Sequence, residues 1–331
     1  MPDALARSPL FSLASARHDR QRIERAIHAA VQSSDPYLTE IASHLVVAGG
    51  KRLRPMVAVV AAGVGGSPAS DDVVRGGVAC ELVHLGSLYH DDVIDESDTR
   101  RGVETVNAKW GNLQAILAGD FLLSRASEIA ASLGTEVAAL LARTIGWLCE
   151  GEIEQLRHTY DVRRPEESYF VSIRGKTASL YGSAARIGGI VAGLDRPTVD
   201  ALTAWGDAYG MVFQIVDDIL DVTDTTEQLG KPAGHDLVEG VYTLPVLRTL
   251  ALERAVAEEL ACLLGQPLAI AEREKALDIV RANEGVASAI ATARQYVATA
   301  EDACTDLPPG AATDVLRAAP QRLLETAILP T

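Results

Sequence analysis

Aromatic residues make up only 5 % of the 331 residues, and no stretch alternates polar and apolar side chains between hairpin turns. Strands draw on aromatic and β-branched residues in that alternation, so a sheet-based fold is excluded. The abundant alanine, within a hydrophobic content of 48 %, favours closely packed helices instead. Basic residues are also scarce: 30 Lys and Arg against 45 Asp and Glu leave a formal charge of −15. That excludes a nucleic-acid partner, whose footprint is a basic face. It does not exclude a small anionic ligand, because metal ions and a local basic cluster can invert the field inside a cleft. The four cysteines, Cys80, Cys149, Cys262 and Cys304, lie far apart with no zinc-type pairing, and are expected as reduced core thiols. Long hydrophobic runs are missing; residues 56–64 are far too few to span a bilayer, and residues 1–10 lack a charged segment followed by an apolar one. A soluble, cytoplasmic protein is expected. No linker and no repeat of fixed period divides the chain, so residues 1–331 are expected to form one domain.

What is present is organised around His90-Asp91-Asp92-Val93-Ile94-Asp95, followed by Arg100-Arg101-Gly102. On a helix Asp91 and Asp95 lie one turn apart on one face with Asp92 beside them, and like charges at that spacing repel. The preceding run is mostly apolar or small (Val73, Val74, Val78, Ala79, Leu82, Val83, Leu85, Leu88), so the acids extend a buried helix. Carboxylates held there need a cation, and oxygen donors without cysteine suit a hard one such as Mg²⁺. The arrangement returns as Asp217-Asp218-Ile219-Leu220-Asp221 after another apolar run with Met211, Phe213, Ile215 and Val216. Two such boxes with basic residues between them describe a pocket where Mg²⁺ bridges protein carboxylates to a phosphate ester.

Taken in order, residues 12–32 form an amphipathic helix, and a turn at Asp35-Pro36 starts another. Gly49-Gly50-Lys51-Arg52-Leu53-Arg54-Pro55 then puts three cations beside the start of an apolar helix over 56–64, an anion site. On the helix leading to the first box, Ser87, His84 and Cys80 fall within roughly 40° of the Asp91 face at about 100° per residue. Helices follow over 112–133, with a buried Asp120, and over 135–160, with Trp147 and the acidic patch Glu150, Glu152 and Glu154. Arg174-Gly175-Lys176-Thr177 lacks the spacing of a P-loop. Gln214 stands one turn before Asp217, and residues 224–240, rich in glycine and charge and including Lys231, are expected as a lid.

With these residues in hand, the chain resembles the trans-type polyprenyl diphosphate synthases. The resemblance is carried by Gly-Gly-Lys-Arg-Leu-Arg-Pro, Leu-Tyr-His-Asp-Asp-Val-Ile-Asp with Arg-Arg-Gly, Gly-Lys-Thr, Phe-Gln-Ile-Val-Asp-Asp-Ile-Leu-Asp and Leu-Gly-Lys-Pro, in that order. It implies an all-α single domain of ten or more helices around a deep central cavity, usually a homodimer. By position it implies that Asp91, Asp92, Asp95, Asp217 and Asp221 hold three Mg²⁺ on an allylic prenyl diphosphate, with Asp218 in support. Arg100, Lys176 and Lys231 would add charge to that diphosphate. Lys51, Arg54, His84 and Arg101 would bind isopentenyl diphosphate, and Gln214 and Thr177 would lie near the forming cation. One departure stands out: many relatives carry lysine after Gly240, where this chain has Val241.

The implied reaction lengthens the allylic chain by one five-carbon unit per cycle. A non-catalytic subunit would be expected to have lost metal carboxylates, and both boxes are complete. A terpene cyclase binds one diphosphate and has no need of Lys51, Arg54, His84 and Arg101. In short-chain relatives, which make farnesyl or geranylgeranyl diphosphate, aromatic residues commonly stand four and five positions before the first aspartate. Ser87 and Gly86 stand there in this chain, which implies a product of geranylgeranyl length or longer, hexaprenyl to decaprenyl, with Trp147 a candidate for the channel floor.

Overall fold

The computed structural model describes residues 8–224 and 233–328. Several of its helices begin at side chains that cap them. Asp35 caps α2 (Pro36–Val47) through the Tyr37 amide, Ser70 caps α4 (Asp71–Ile94) through Val73, and Asp195 caps α10 (Arg196–Thr223) through Thr198. Before and between these lie α1 (Ala16–Ala30), α3 (Leu53–Gly63), the short α5 (Val106–Trp110), α6 (Asn112–Leu133), α7 (Thr135–Leu156), α8 (Glu166–Ile173) and α9 (Ser179–Val191). The rest is α11 (His235–Val238), α12 (Leu244–Leu250), α13 (Arg254–Ala261), α14 (Ile270–Ala282), α15 (Gly285–Ala303) and α16 (Ala311–Ile328). Among the described residues the only sheet is a two-residue hairpin, Thr99–Arg100 paired with Val103–Glu104. The fold is all-α.

Helices α4 and α10 are the long central elements. Against α4 pack α3, α6 and α9, and against α10 pack α9, α15 and α16. Absent side chains let them approach. A Cβ on Gly188 of α9 would stand 2.2 Å from the Ala58 carbonyl of α3, so this crossing admits no side chain. Both acidic boxes close the C-terminal ends of these two helices, with no basic residue in the last turn of either. The helix dipole is negative there, which adds to the mutual repulsion of the aspartates.

Several expectations change in three dimensions. The first helix spans Ala16–Ala30 rather than 12–32, α3 starts at Leu53 rather than 56, and α7 ends at Leu156 rather than 160. Cys80 and Cys304 are core thiols, but Cys149 and Cys262 are exposed. Asp120 is exposed on α6, 3.5 Å from the His90 ring of α4, rather than buried. Trp147 is 37 % exposed on α7. Lys231 and part of the expected lid lie outside the described residues.

Candidate active site

The ends of α4 and α10 face a cavity lined by Asp95, Gln155, Arg164, Tyr169, Lys176, Thr177, Gln214, Asp218, Asp236, Glu239 and Val241, among others. The backbone between α8 and α9 widens into a π turn, Arg174–Ala178, which carries Lys176 and Thr177 to this wall. Such turns recur at functional sites because the extra residue re-aims side chains. The turn nests on α7: a Cβ on Gly175 would stand 2.6 Å from the Trp147 carbonyl, and one on Gly151 2.6 Å from the Lys176 amide.

At the first box the three aspartates divide. Asp92 is fully buried and accepts a short hydrogen bond from the Arg100 guanidinium. Asp91 and Asp95 face Lys176 instead. Burial raises the Asp91 carboxyl above its usual range, with Lys176 opposing. Asp95 is pushed up to about 6, by burial and then by Glu239. Lys176 forms an ion pair with Glu152 of α7. Burial works against its ammonium, yet Asp91, Glu152 and Asp95 together hold it above the usual lysine value.

The second box is tied to the same wall. Thr177 donates to the Gln214 side-chain oxygen at 2.7 Å, and Gln214 donates to Asp218 at 2.8 Å. Tyr169 donates to the other Asp218 oxygen at 2.6 Å. Burial pushes the Asp218 carboxyl up to about 7, with Tyr169 and Gln214 opposing. Asp218 therefore anchors a hydrogen-bonded chain, while Asp221, 4 % exposed, accepts the Asp236 amide at 3.3 Å.

A separate cationic cluster lies where α3, α4 and the hairpin meet. Arg101 donates to the carbonyls of Leu45 and Gly49, and a Cβ on Gly50 would stand 2.7 Å from the Arg52 guanidinium and 3.0 Å from that of Arg101. The glycine pair thus brings the two basic motifs together. Arg54 stacks on the Tyr181 ring at 4.8 Å with its buried Nε lacking a hydrogen-bond partner. Burial lowers the Arg101 guanidinium, with Arg52, Arg100 and Arg54 contributing. Burial and Arg54, Arg101, Arg100 and Arg52 hold His84 neutral, well below the usual histidine value. Crowded guanidiniums with an unpartnered nitrogen make a site for an anion.

Arg52 itself turns inward. At φ 55°, as the residue capping α3, it binds Glu24 and Glu81 and the Val46 carbonyl. It supports the turn rather than the anion site. Glu152, one of an acidic patch in the sequence, reaches the site through its ion pair with Lys176. Arg164, Tyr169, Gln155, Asp236 and Glu239 had not been singled out. Tyr169 and Asp218 are 49 residues apart, and no local pattern links them.

A pocket with oxygen donors on two facing helix ends and cations on two sides has the donor types that a phosphate ester held through hard metal ions would need. The Polyprenyl synthetase family model matches residues 35–280, and the chain belongs to that family; it is a prenyltransferase of the polyprenyl diphosphate synthase type. It is 41 % identical over 300 residues to heptaprenyl diphosphate synthase component 2 of Geobacillus stearothermophilus, covering 90 % of this chain and 93 % of that one. Identity to the nonaprenyl diphosphate synthase of Mycobacterium tuberculosis is 38 %, covering 89 % and 88 %. The structure of a polyprenyl synthase from Caulobacter crescentus, complexed with calcium and isoprenyl diphosphate, superposes with a TM-score of 0.88 at 33 % identity, covering 97 % and 96 %.

Proposed function

We propose that this enzyme condenses isopentenyl diphosphate with an allylic prenyl diphosphate in a Mg²⁺-dependent reaction and releases a hexaprenyl to decaprenyl diphosphate. The observation that carries this reading is the pair of separated cationic sites, one around Lys176 at the acidic boxes and one around Arg54, Arg101 and His84. A cyclase, with one diphosphate to bind, has no use for the second. The donor set suits Mg²⁺, being all oxygen. Mg²⁺ prefers a few carboxylates plus substrate phosphates, the combination that two acidic boxes around a diphosphate would supply.

In this reading Asp91, Asp95, Asp217 and Asp221 would hold three Mg²⁺; Asp92, which the resemblance placed among the metal ligands, is instead committed to the Arg100 guanidinium, and Asp218 acts one step back through Gln214. Bound there, the ions supply Lewis-acid stabilisation of the departing diphosphate. Lys176, and Lys231 outside the described residues, add fixed positive charge on the same group. The neutral His84 donates a hydrogen bond to isopentenyl diphosphate between Lys51, Arg54 and Arg101. Thr177 and Gln214, already hydrogen-bonded to each other, turn their dipoles toward the allylic cation. The proton lost after carbon–carbon bond formation goes to the released diphosphate. Val241 lines the cavity where relatives carry lysine, and leaves Lys176 and Lys231 to serve the diphosphate.

We assign a homodimer to the outer face of α6 and α7, where Leu113, Ile116 and Leu117 are exposed beside Ile153. Large apolar side chains left exposed on two packed helices suit an interface. A cytoplasmic setting accords with the exposed free thiols of Cys149 and Cys262; among the described residues no helix is long and apolar enough to cross a membrane. The activity is tested with labelled isopentenyl diphosphate, farnesyl diphosphate and Mg²⁺, resolving products by length. Products of six to ten units are expected, none with chelator present; a cyclic hydrocarbon or a farnesyl end point would refute the reading.

A further inference from the structure

Lys176 is the cation assigned to the leaving diphosphate, yet an acid stands against it. Glu152 is 13 % exposed and its carboxylate forms an ion pair with the Lys176 ammonium. The backbone imposes this pairing: α7 and the π turn approach so closely at Gly151 that a Cβ there would stand 2.6 Å from the Lys176 amide. Glu152, the next residue, has its carboxylate at the ammonium as a result. Lysine is a point charge on a flexible four-carbon stem, and nothing in the stem itself fixes where the charge rests. The competing anchors are Asp91 and Asp95, which act on the same ammonium from across the cavity. A lysine free to swing onto them would neutralise the carboxylates meant for metal and leave the diphosphate without its fixed cation.

We propose that Glu152 is a positioning residue for the reaction. It anchors Lys176 from the α7 side of the cavity against the pull of Asp91 and Asp95, so that the allylic diphosphate meets a preplaced charge. Preorganised charge is what makes electrostatic stabilisation of a leaving group effective. The inference rests on the assignment of Lys176 to the allylic diphosphate made above.

The test uses Glu152→Ala, Glu152→Gln, Lys176→Ala and the double variant Glu152→Ala/Lys176→Ala in the full chain. Michaelis constants are measured separately for farnesyl and isopentenyl diphosphate, and the affinity for inorganic diphosphate with Mg²⁺ is read by calorimetry without turnover. Loss of one charge-assisted hydrogen bond corresponds to about tenfold. Glu152→Ala is therefore expected to raise the farnesyl diphosphate constant and weaken inorganic diphosphate binding about tenfold, with the isopentenyl diphosphate constant unchanged. Glu152→Gln, whose amide oxygen still accepts from the ammonium, should recover most of the loss, and in the Lys176→Ala background the Glu152 substitution should add nothing. Equal effects on both substrates, no recovery with glutamine, or losses that add in the double variant would each overturn the proposal. If Lys176→Ala impairs the allylic substrate while Glu152→Ala does not, the proposal alone falls. If Lys176→Ala spares the allylic substrate, the assignment of Lys176 falls and the proposal with it. Should Glu152→Ala fail to fold, Glu152→Leu, similar in size and without an acceptor, takes its place.

Discussion

Raising the pH should discharge one side of the proposed isopentenyl diphosphate site. Burial pushes the Lys51 ammonium down to about 8, with Asp217 opposing the shift. Its charged share then falls from about 90 % at pH 7 to about 10 % at pH 9. Because kcat/KM reports groups of the enzyme form that meets the varied substrate, kcat/KM for isopentenyl diphosphate, measured at saturating allylic substrate, should drop on the order of five- to tenfold over that range. Stability moves the other way. Between about 8 and 10.5 the unfolded chain keeps a proton that the folded Lys51 has released, so unfolding becomes less favourable as pH rises through that window. A loss of affinity without a fall in thermal midpoint is thus expected from this group. Lys51→Arg, charged throughout, should flatten the alkaline limb. A profile level from pH 7 to 9, or the same fall in Lys51→Arg, would refute the reasoning.

Three further outcomes follow from the geometry. Asp91→Ala should lower turnover by orders of magnitude through loss of metal, while thermal stability without Mg²⁺ holds or rises because a repelling carboxylate is gone; retained turnover would contradict the site. Arg52→Ala should destabilise the fold by about 3–5 kcal/mol, since it leaves the buried Glu81 without its cation; chemical denaturation measures this, and a loss under about 1 kcal/mol would show that the network is dispensable. Ser87→Phe should shorten the product, at about 1–3 kcal/mol of overpacking, and an active variant with unchanged product length would remove Ser87 from the channel.

The long helices were legible because their signals are local. Ser70 and Asp195 cap α4 and α10, and the apolar runs end in aspartates. Roles that depend on which way a side chain turns were not. Arg52 and Lys51 are neighbours in one basic motif, yet the left-handed backbone at Arg52 sends its side chain into the core. Gly86 and Ser87 share the implied channel position only by resemblance, since helix geometry sets Gly86 roughly 140° from the Asp91 face that Ser87 occupies. A Cβ on Gly86 would stand 3.0 Å from the Gly119 carbonyl of α6, so it serves helix packing, whereas Ser87 is half-buried with its hydroxyl on the His84 carbonyl at 2.9 Å. Lys176 and Glu152 come together through a π turn that helical periodicity does not announce.

The central claim is that two acidic boxes grip one diphosphate through metal ions, and anomalous scattering from Mn²⁺ in crystals grown with inorganic diphosphate addresses it most directly. The account predicts Mn²⁺ between the diphosphate and Asp91, Asp95, Asp217 and Asp221, with Lys176 bonded to the diphosphate and Asp92 still on Arg100. Diphosphate bound only at Lys51, Arg54 and Arg101, with no Mn²⁺ at the two boxes, would contradict it.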